Sequence, residues 1–174
     1  IEVGIGSTLG TMALVLGLGA MFGKLIEESG AAQRITQTMI KQFGIKNIQW
    51  AIMLTGLVVG IPLFYNAGFV ILVPLIFSIA ASARLPLLYV GIPMAASLSV
   101  THGFLPPHPG PTAIAAVFHA DIGKTLLYGF VVSIPAIVLA GPIFSKTLHK
   151  INVSVPKEFI ASKQLEEDKM PSVA

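Results

Sequence analysis

Residues 101–112 bring together the residue types that could do chemistry in this chain: two histidines, His102 and His108, beside four prolines and two glycines. An imidazole gains and loses a proton near neutral pH, so this pair could carry a proton. Prolines interrupt a helix, and the backbone groups that they free can bind a polar solute. Each histidine could instead serve only as a hydrogen-bond partner for the interrupted backbone. The segment therefore indicates a proton-binding or solute-binding site, with a structural role for the histidines as the alternative.

A metal site or an enzymatic site fits these residues less well. Zinc needs three or four ligands, and the next histidine, His119, follows His108 only after 11 residues. The chain has no cysteine, and it contains neither a Gly-x-Ser-x-Gly nor a His-Glu-x-x-His motif. We therefore expect no metal, no cofactor and no enzymatic activity.

Composition indicates the class of protein around this segment. Hydrophobic residues make up 54% of the 174 residues and charged ones 11%, with a mean hydropathy of +0.83. These values are typical of an integral membrane protein, in which helices satisfy the backbone hydrogen bonds internally. The net charge of +3 comes without a basic run interleaved with aromatics, so nucleic acid is not an expected partner. We predict an all-α, multi-pass membrane protein surrounded by lipid.

Uncharged stretches mark the membrane spans. Residues 3–23 and residues 125–145 each form a run of 21 uncharged residues. As helix, such a run reaches about 31 Å and crosses the roughly 30 Å hydrocarbon core. Residues 24–46 are polar with apolar side chains at every fourth position, which predicts a helix on the membrane surface. Residues 85–118 contain the proline-rich segment and predict one crossing made of two helical pieces, a broken transmembrane helix.

The segment between these spans, residues 48–82, predicts a helical hairpin. Its two apolar runs, residues 48–61 and 69–81, are 14 and 13 residues long. As helices they reach about 20 Å, too short for the membrane core. A re-entrant hairpin would carry Tyr65 and Asn66 to mid-membrane, where a phenol and an amide can hydrogen-bond a solute. Two tilted full spans joined by an ordinary loop are the alternative.

A solute site follows if the hairpin tip meets the broken helix. A helix that restarts near Thr112 would point free N–H groups at the site, which favours a carboxylate, and the Thr112 hydroxyl could cap it. A sugar acid carries a carboxylate and hydroxyls that suit such a site. The predicted substrate-binding residues are polar and glycine positions of the two segments: Tyr65, Asn66, Thr101, His102, Gly103, Gly110 and Thr112. His102 and His108 are the candidates for proton coupling.

The placement of basic residues predicts the orientation in the membrane. Cytoplasmic loops collect lysine and arginine. Most basic residues of the first 150 positions fall on one side of this layout, with Lys124 opposite: Lys24, Arg34, Lys41, Lys46, Arg84, Lys146 and Lys150. We therefore place residues 24–46 and the polar tail, residues 151–174, in the cytoplasm. The N-terminus and residues 121–124 then lie outside.

Residues 101–112, with residues 87–96 before them and 121–129 after them, resemble the gluconate permease family of proton symporters. Shorter similar stretches extend the resemblance over nearly the whole chain: residues 6–23, 33–35 and 62–65. Members of that family are much longer and resemble the wider ion-transporter superfamily, in which two inverted repeats each contribute a re-entrant hairpin and a broken helix. The resemblance therefore implies a partial inverted-repeat transporter, covering most of the first repeat and completed by the second.

The resemblance also implies a function, proton-coupled uptake of gluconate or a related small sugar acid across the bacterial cytoplasmic (inner) membrane. The partners are then a small carboxylate, protons, the lipid bilayer and the second repeat. Another small hydroxylated carboxylate or an amino acid such as D-serine stays open as the substrate, and so does assembly into a homo-oligomer. A structural membrane subunit that transports nothing is the alternative from another class of protein.

One residue departs from the family pattern. Many members place an acidic residue directly after the aromatic pair that here is Phe64 and Tyr65, whereas this chain has Asn66. An amide cannot carry a proton between the two sides of a membrane. If the acid is the proton carrier elsewhere in the family, coupling here must use His102, His108 or a group in the second repeat.

Overall fold

A computed structural model describes residues 2–151 and 153, and this part of the chain consists of helices and short connections. For residues 2–5, 7–9, 11–12 and 14–16 it describes the backbone alone. The predicted cytoplasmic tail, residues 151–174, lies outside the described residues except at positions 151 and 153.

Eight α-helices follow one another along the described chain. They are α1 (Glu2–Glu28), α2 (Ala31–Phe43), α3 (Ile48–Gly60), α4 (Tyr65–Ala83), α5 (Leu87–Phe104), α6 (Pro109–Val117), α7 (Ile122–Val138) and α8 (Phe144–Thr147). A 3-10 turn at Ile45–Asn47 precedes α3, and a π-helical turn at Leu139–Ile143 joins α7 to α8. The Asp121 side chain caps α7 by accepting a hydrogen bond from the Lys124 N–H at 2.8 Å.

Three stretches of helix are long and apolar enough to cross a membrane. These are α4, the combination of α5 and α6 over Leu87–Val117, and the run from α7 through α8 over Ile122–Thr147. A fourth span is counted if Ala31–Phe43 and Ile45–Gly60, which are bent by 109° at their junction, together form one crossing. The predicted all-α membrane protein is therefore confirmed in its class. The predicted first span, residues 3–23, lies within α1, where many side chains fall outside the described part.

The interruption of the broken helix is shorter than the sequence suggested. We expected it to extend over residues 101–112, but α5 continues to Phe104 and α6 begins at Pro109. Prolines are tolerated in the first turn of a helix, because the N–H groups there lack helical partners in any case. Pro109 and Pro111 therefore start α6, and residues 105–108 alone are irregular.

The hairpin also differs from the expected boundaries. We assigned residues 62–68 to the connection, whereas α4 already begins at Tyr65. Our boundary followed hydropathy, but the first turn of a helix accommodates polar residues such as Asn66 without loss of hydrogen bonds. As a result α4 has 19 residues, against the 13 expected, and is long enough to cross the membrane by itself. The α3 helix has only 13 residues.

The core of the described bundle is the contact between α3 and α5, the most extensive between any two helices. Two glycines of α3, Gly56 and Gly60, face two small polar residues of α5, Ser97 and Thr101. A β-carbon added at Gly56 would lie 2.9 Å from the Cβ atom of Ser97, and one at Gly60 would collide with the Thr101 hydroxyl. Small residues one turn apart are the usual means by which membrane helices approach closely.

Gln49, at the start of α3, forms a hydrogen bond to α5 at the other end of the α3–α5 contact. Pro93 inside α5 has no N–H, so the Tyr89 carbonyl four residues earlier loses its helical partner. The buried Gln49 amide donates to that carbonyl at 3.2 Å and also to the Ser145 hydroxyl of α8. The His149 ring packs edge-on against Tyr89 at 4.9 Å. The starts of α3 and α5 and the region of α8 therefore meet at one end of the bundle.

The close approach of α3 and α5 predicts that an added methyl group at Gly56 is destabilising. In the full-length protein, Gly56→Ala should cost about 1–3 kcal/mol, because the new Cβ overlaps with Ser97. Gly103→Ala is the matched control, since a Cβ there meets nothing within 4 Å. The measurement is the fraction of monodisperse protein after heating in detergent. Equal midpoints for the two variants would contradict the tight α3–α5 contact.

The role of Gln49 predicts a second loss of stability. Gln49→Leu removes the donor for the Tyr89 carbonyl and leaves that buried group unpaired, at a cost of about 1–3 kcal/mol. Asn47→Ala serves as control, because the Asn47 amide makes only an exposed bond, to the Phe43 carbonyl. The same heating assay should separate the two variants, and a Gln49→Leu protein as stable as Asn47→Ala would be the contrary result.

Candidate functional site

A pocket of about 220 Å³ lies between the first turn of α4 and the C-terminal part of α5, with five lining residues: Phe64, Tyr65, Asn66, Ser99 and His102. Its volume is below the roughly 300–1,000 Å³ of pockets that hold drug-sized ligands. The lining combines two aromatic rings with an amide, a hydroxyl and an imidazole. The pocket therefore suits a small polar solute.

Three of the seven predicted substrate-binding residues line this pocket: Tyr65, Asn66 and His102. Ser99 was missed by our sequence analysis. It lies three residues before His102 on α5, and residues three apart share a helix face, so that spacing would have identified it. The structure thus joins the hairpin and the broken helix at a common cavity.

The other four predicted residues do not line the pocket. Thr101 is fully buried, and its hydroxyl is bonded to carbonyls of its own helix, those of Ser97 and Leu98, at 2.9 Å. Thr112 is buried in α6, while Gly103 and Gly110 are exposed at the two sides of the break. These residues surround the interruption without contributing to the cavity.

Aromatic rings enclose the His102 imidazole. The Phe64 and Tyr65 rings lie 6.4 and 6.5 Å from it, both in edge-to-face geometry. Tyr65 in turn stacks on Phe69 one turn later in α4, with ring centroids 5.6 Å apart. The rings leave His102 partly exposed towards the cavity. They therefore orient the imidazole as part of the pocket wall.

His102 and His108 are in direct contact across the break. Their Nδ1 atoms are 3.2 Å apart, and the Nε2 atom of His108 lies 2.8 Å from the Gly60 carbonyl at the end of α3. His108 is 2% exposed, whereas His102 reaches the pocket. Within the described residues there is no group of three His, Cys, Asp or Glu side chains that could hold a metal ion. The pair is thus a hydrogen-bonded chain from a helix end to the cavity.

The prediction that Thr112 caps a restarted helix is wrong. The N-cap of α6 is His108, no side chain caps this end, and the Thr112 N–H already donates to the His108 carbonyl at 3.1 Å. Because Pro109 and Pro111 have no N–H, the first turn of α6 keeps only one free donor, that of Gly110. This helix end is therefore a poor carboxylate site.

The start of α4 has several backbone N–H groups without a helical partner, whereas the start of α6 has one. Its N-cap is Phe64, no side chain caps it, and the first helical bond runs from the Gly68 N–H to the Phe64 carbonyl at 3.0 Å. The N–H groups of Tyr65, Asn66 and Ala67 thus have no partner within the helix. Tyr65 and Asn66 also line the pocket. An uncapped helix start of this kind attracts anions.

Comparison with known proteins places this chain in a family. The model of the GntP family permeases matches residues 1–174. The chain is 58% identical over 172 residues to the high-affinity gluconate transporter of Escherichia coli K12, and equally to the Gnt-II system L-idonate transporter of that organism. Each alignment covers 99% of this chain and 39% of the relative.

A third relative comes from another bacterium. The gluconate permease of Bacillus subtilis 168 is 55% identical over 159 residues, covering 91% of this chain and 35% of that protein. The chain therefore spans about two fifths of the length of the curated relatives that it matches. No solved structure matches it.

The family match extends over the whole chain, and the predicted resemblance to gluconate permeases is confirmed. Together with the apolar helices, it makes the chain part of a multi-pass protein of the bacterial inner membrane. A permease family also means a transport protein rather than an enzyme. The chain belongs to the GntP family of permeases.

Proposed function

We propose that the full-length protein takes up gluconate or a closely related sugar acid, driven by proton entry. The observation that carries this proposal is the pocket in which the uncapped start of α4 faces the imidazole of His102. The relatives support the substrate class, because their names refer to gluconate and L-idonate, both polyhydroxy carboxylates. Two features of the pocket correspond to the two parts of such a substrate, its carboxylate and its hydroxyls, and a third, His102, corresponds to the proton.

The carboxylate end binds at the start of α4. The backbone N–H groups of Tyr65 and Asn66 lack helical partners, and the exposed Asn66 amide can add a further donor. Donors at a helix N-terminus favour a negative charge through the helix dipole. The described lining residues include neither lysine nor arginine, so at this end of the pocket the backbone supplies the attraction.

The hydroxyl groups of the substrate bind towards α5. The Ser99 and Tyr65 hydroxyls can each donate and accept, and the His102 imidazole adds one more polar atom. The five lining residues include no carboxylate that would pair with an ammonium group. The relatives' names, which refer to gluconate and L-idonate, support a sugar acid over an amino acid such as D-serine.

His102 is the proton-binding group of the proposal. Among the five described lining residues it is the one histidine, the side-chain type that proteins most often use to bind and release protons. A protonated imidazole would add a positive charge to a pocket that holds an anion. Proton binding and substrate binding then strengthen each other by the same factor, as thermodynamic linkage requires. Such mutual reinforcement is what a symporter needs.

The position of the connection between α3 and α4 supports a re-entrant hairpin. The end of α3, Gly60, is bonded to His108 in the break of the second span, rather than near the far end of that span. Beyond the break, α6 continues for nine residues, about 14 Å. We propose that the α3–α4 tip stops within the membrane at the level of the break. The length of α4 allows a full span, so this assignment rests on the depth of the tip.

Transport by the full-length protein in lipid vesicles tests the function. Labelled gluconate should accumulate against its gradient when the outside is acidic, and a protonophore should abolish the accumulation. Unlabelled L-idonate should compete and D-serine should not. Accumulation that ignores the protonophore would refute the coupling, while competition by D-serine but not by gluconate would refute the substrate class.

Cysteine labelling tests whether the described pocket is the substrate site. The chain has no cysteine of its own, so single cysteines can be introduced into a full-length protein that lacks other reactive thiols. Ser99→Cys, which lines the pocket, should react with a water-soluble maleimide, and gluconate should slow the reaction about tenfold at saturating concentration, corresponding to roughly 1.4 kcal/mol. Ser97→Cys on the same helix is the control, because Ser97 is fully buried. Labelling of Ser99→Cys at a rate unaffected by gluconate would place the substrate elsewhere.

A further inference from the structure

We infer that His108 is a positioning residue: it holds His102 in the one neutral tautomer whose bare Nε2 atom faces the pocket. The inference rests on the proposed function only in assigning that atom to proton binding. The arrangement of protons follows from the partners of the two rings, beginning at the buried end of the chain of hydrogen bonds.

The first step is the Gly60 carbonyl. Gly60 is the last residue of α3, where carbonyl groups have no helical partner. A carbonyl can only accept a hydrogen bond, and the Nε2 atom of His108 lies 2.8 Å away. Nε2 of His108 therefore carries a hydrogen. In neutral His108 the other ring nitrogen, Nδ1, is then a bare acceptor.

The second step is the contact between the rings. Nδ1 of His108 lies 3.2 Å from Nδ1 of His102, and two bare nitrogens at that distance would repel each other. His102 must therefore carry its hydrogen on Nδ1 and donate it to His108. In the described structure the Phe64 ring contacts both imidazoles and the Tyr65 ring contacts His102, while Asn66 and Ser99 line the pocket with His102. None of these is a carboxylate or an ammonium that would reverse this order.

The third step concerns the second ring nitrogen of His102, Nε2. With Nδ1 of His102 occupied, Nε2 is bare, and His102 is the member of the pair that lines the pocket. A proton from water in the pocket adds to the Nε2 lone pair, and no hydrogen bond between the rings breaks. Without His108 the imidazole could carry its hydrogen on Nε2 instead, so that the bare nitrogen would face the protein interior. His108 thus decides which side of His102 is basic.

Nitrogen NMR of the full-length protein tests the tautomers directly. With ¹⁵N-labelled histidine in lipid bilayers, at a pH where the imidazoles are neutral, His102 should show a hydrogen on Nδ1 and a bare Nε2. His108 should show the opposite arrangement. Signals are assigned by their loss in His102→Gln and His108→Asn. A hydrogen on Nε2 of His102 would overturn the inference and leave the proposed transport function untouched.

Two variants of His108 separate positioning from a purely structural role. In His108→Asn the amide oxygen takes the place of Nδ1 and can accept from His102, but the side chain no longer reaches Gly60. In His108→Gln the amide can still donate to the Gly60 carbonyl, while the acceptor for His102 is lost. We expect His108→Asn to keep the pH profile of gluconate uptake.

We expect His108→Gln to flatten that profile and to raise the KM for gluconate at acidic outside pH about tenfold, the effect of one lost charge-assisted hydrogen bond. Size-exclusion profiles show whether both variants fold. If either variant does not fold, the NMR measurement alone tests the inference. A normal profile in His108→Gln with a flattened one in His108→Asn would show that the Gly60 bond matters and overturn the positioning role. If the wild type fails to transport gluconate, the proposed function fails while the tautomer result still stands.

Discussion

The hydrogen bond between His108 and the Gly60 carbonyl joins the two places where backbone is interrupted inside the bundle. One is the end of α3 at the hairpin tip, and the other is the break between α5 and α6. A bilayer offers no water for such groups, so each must find a partner within the protein. The bond satisfies a helix-end carbonyl and places His108 against His102 in the same step. The pocket lies at the same meeting point, because His102 beside the break and the start of α4 after the hairpin tip line one cavity.

That meeting requires α3 and α5 to approach closely along their length. Gly56 and Gly60 permit it, since any side chain at either position would overlap with Ser97 or Thr101 of α5. At the other end of α3, the Gln49 side chain satisfies the carbonyl that Pro93 leaves free in α5. The α3 helix therefore donates a side-chain hydrogen bond to α5 at its start, and at its end it receives one from His108. These contacts accord with the burial of nine of the 13 residues of α3 and with the polar Gln49 in its first turn.

The sequence was sufficient for the class of protein, for the broken span and for the pairing of hairpin and histidines in one site. These depend on local composition: long uncharged runs, and prolines within an apolar stretch. Boundaries were less predictable, because hydropathy detects the apolar part of α4 and not its polar first turn at Tyr65. The His108–Gly60 bond joins residues 48 positions apart. No periodicity encodes such a contact, which belongs to the buried histidine, His108, and not to His102, which lines the pocket.

The carboxylate site was predicted at the start of α6 and is now proposed at the start of α4, beside Asn66. This position gives the Asn66 side chain a different role. An acidic side chain at this position, as in many members of the family, would repel a substrate carboxylate unless it were protonated. An amide has nearly the shape of a protonated carboxyl group, and it donates a hydrogen bond at every pH. Asn66 therefore keeps the α4 side of the pocket permanently in the state that accepts an anion. In the proposed mechanism, dependence on protons then arises across the cavity, where His102 is the one histidine among the described lining residues. Under the proposed function, the start of α4 and Asn66 would bind the carboxylate, and the two histidines would make that binding sensitive to protons.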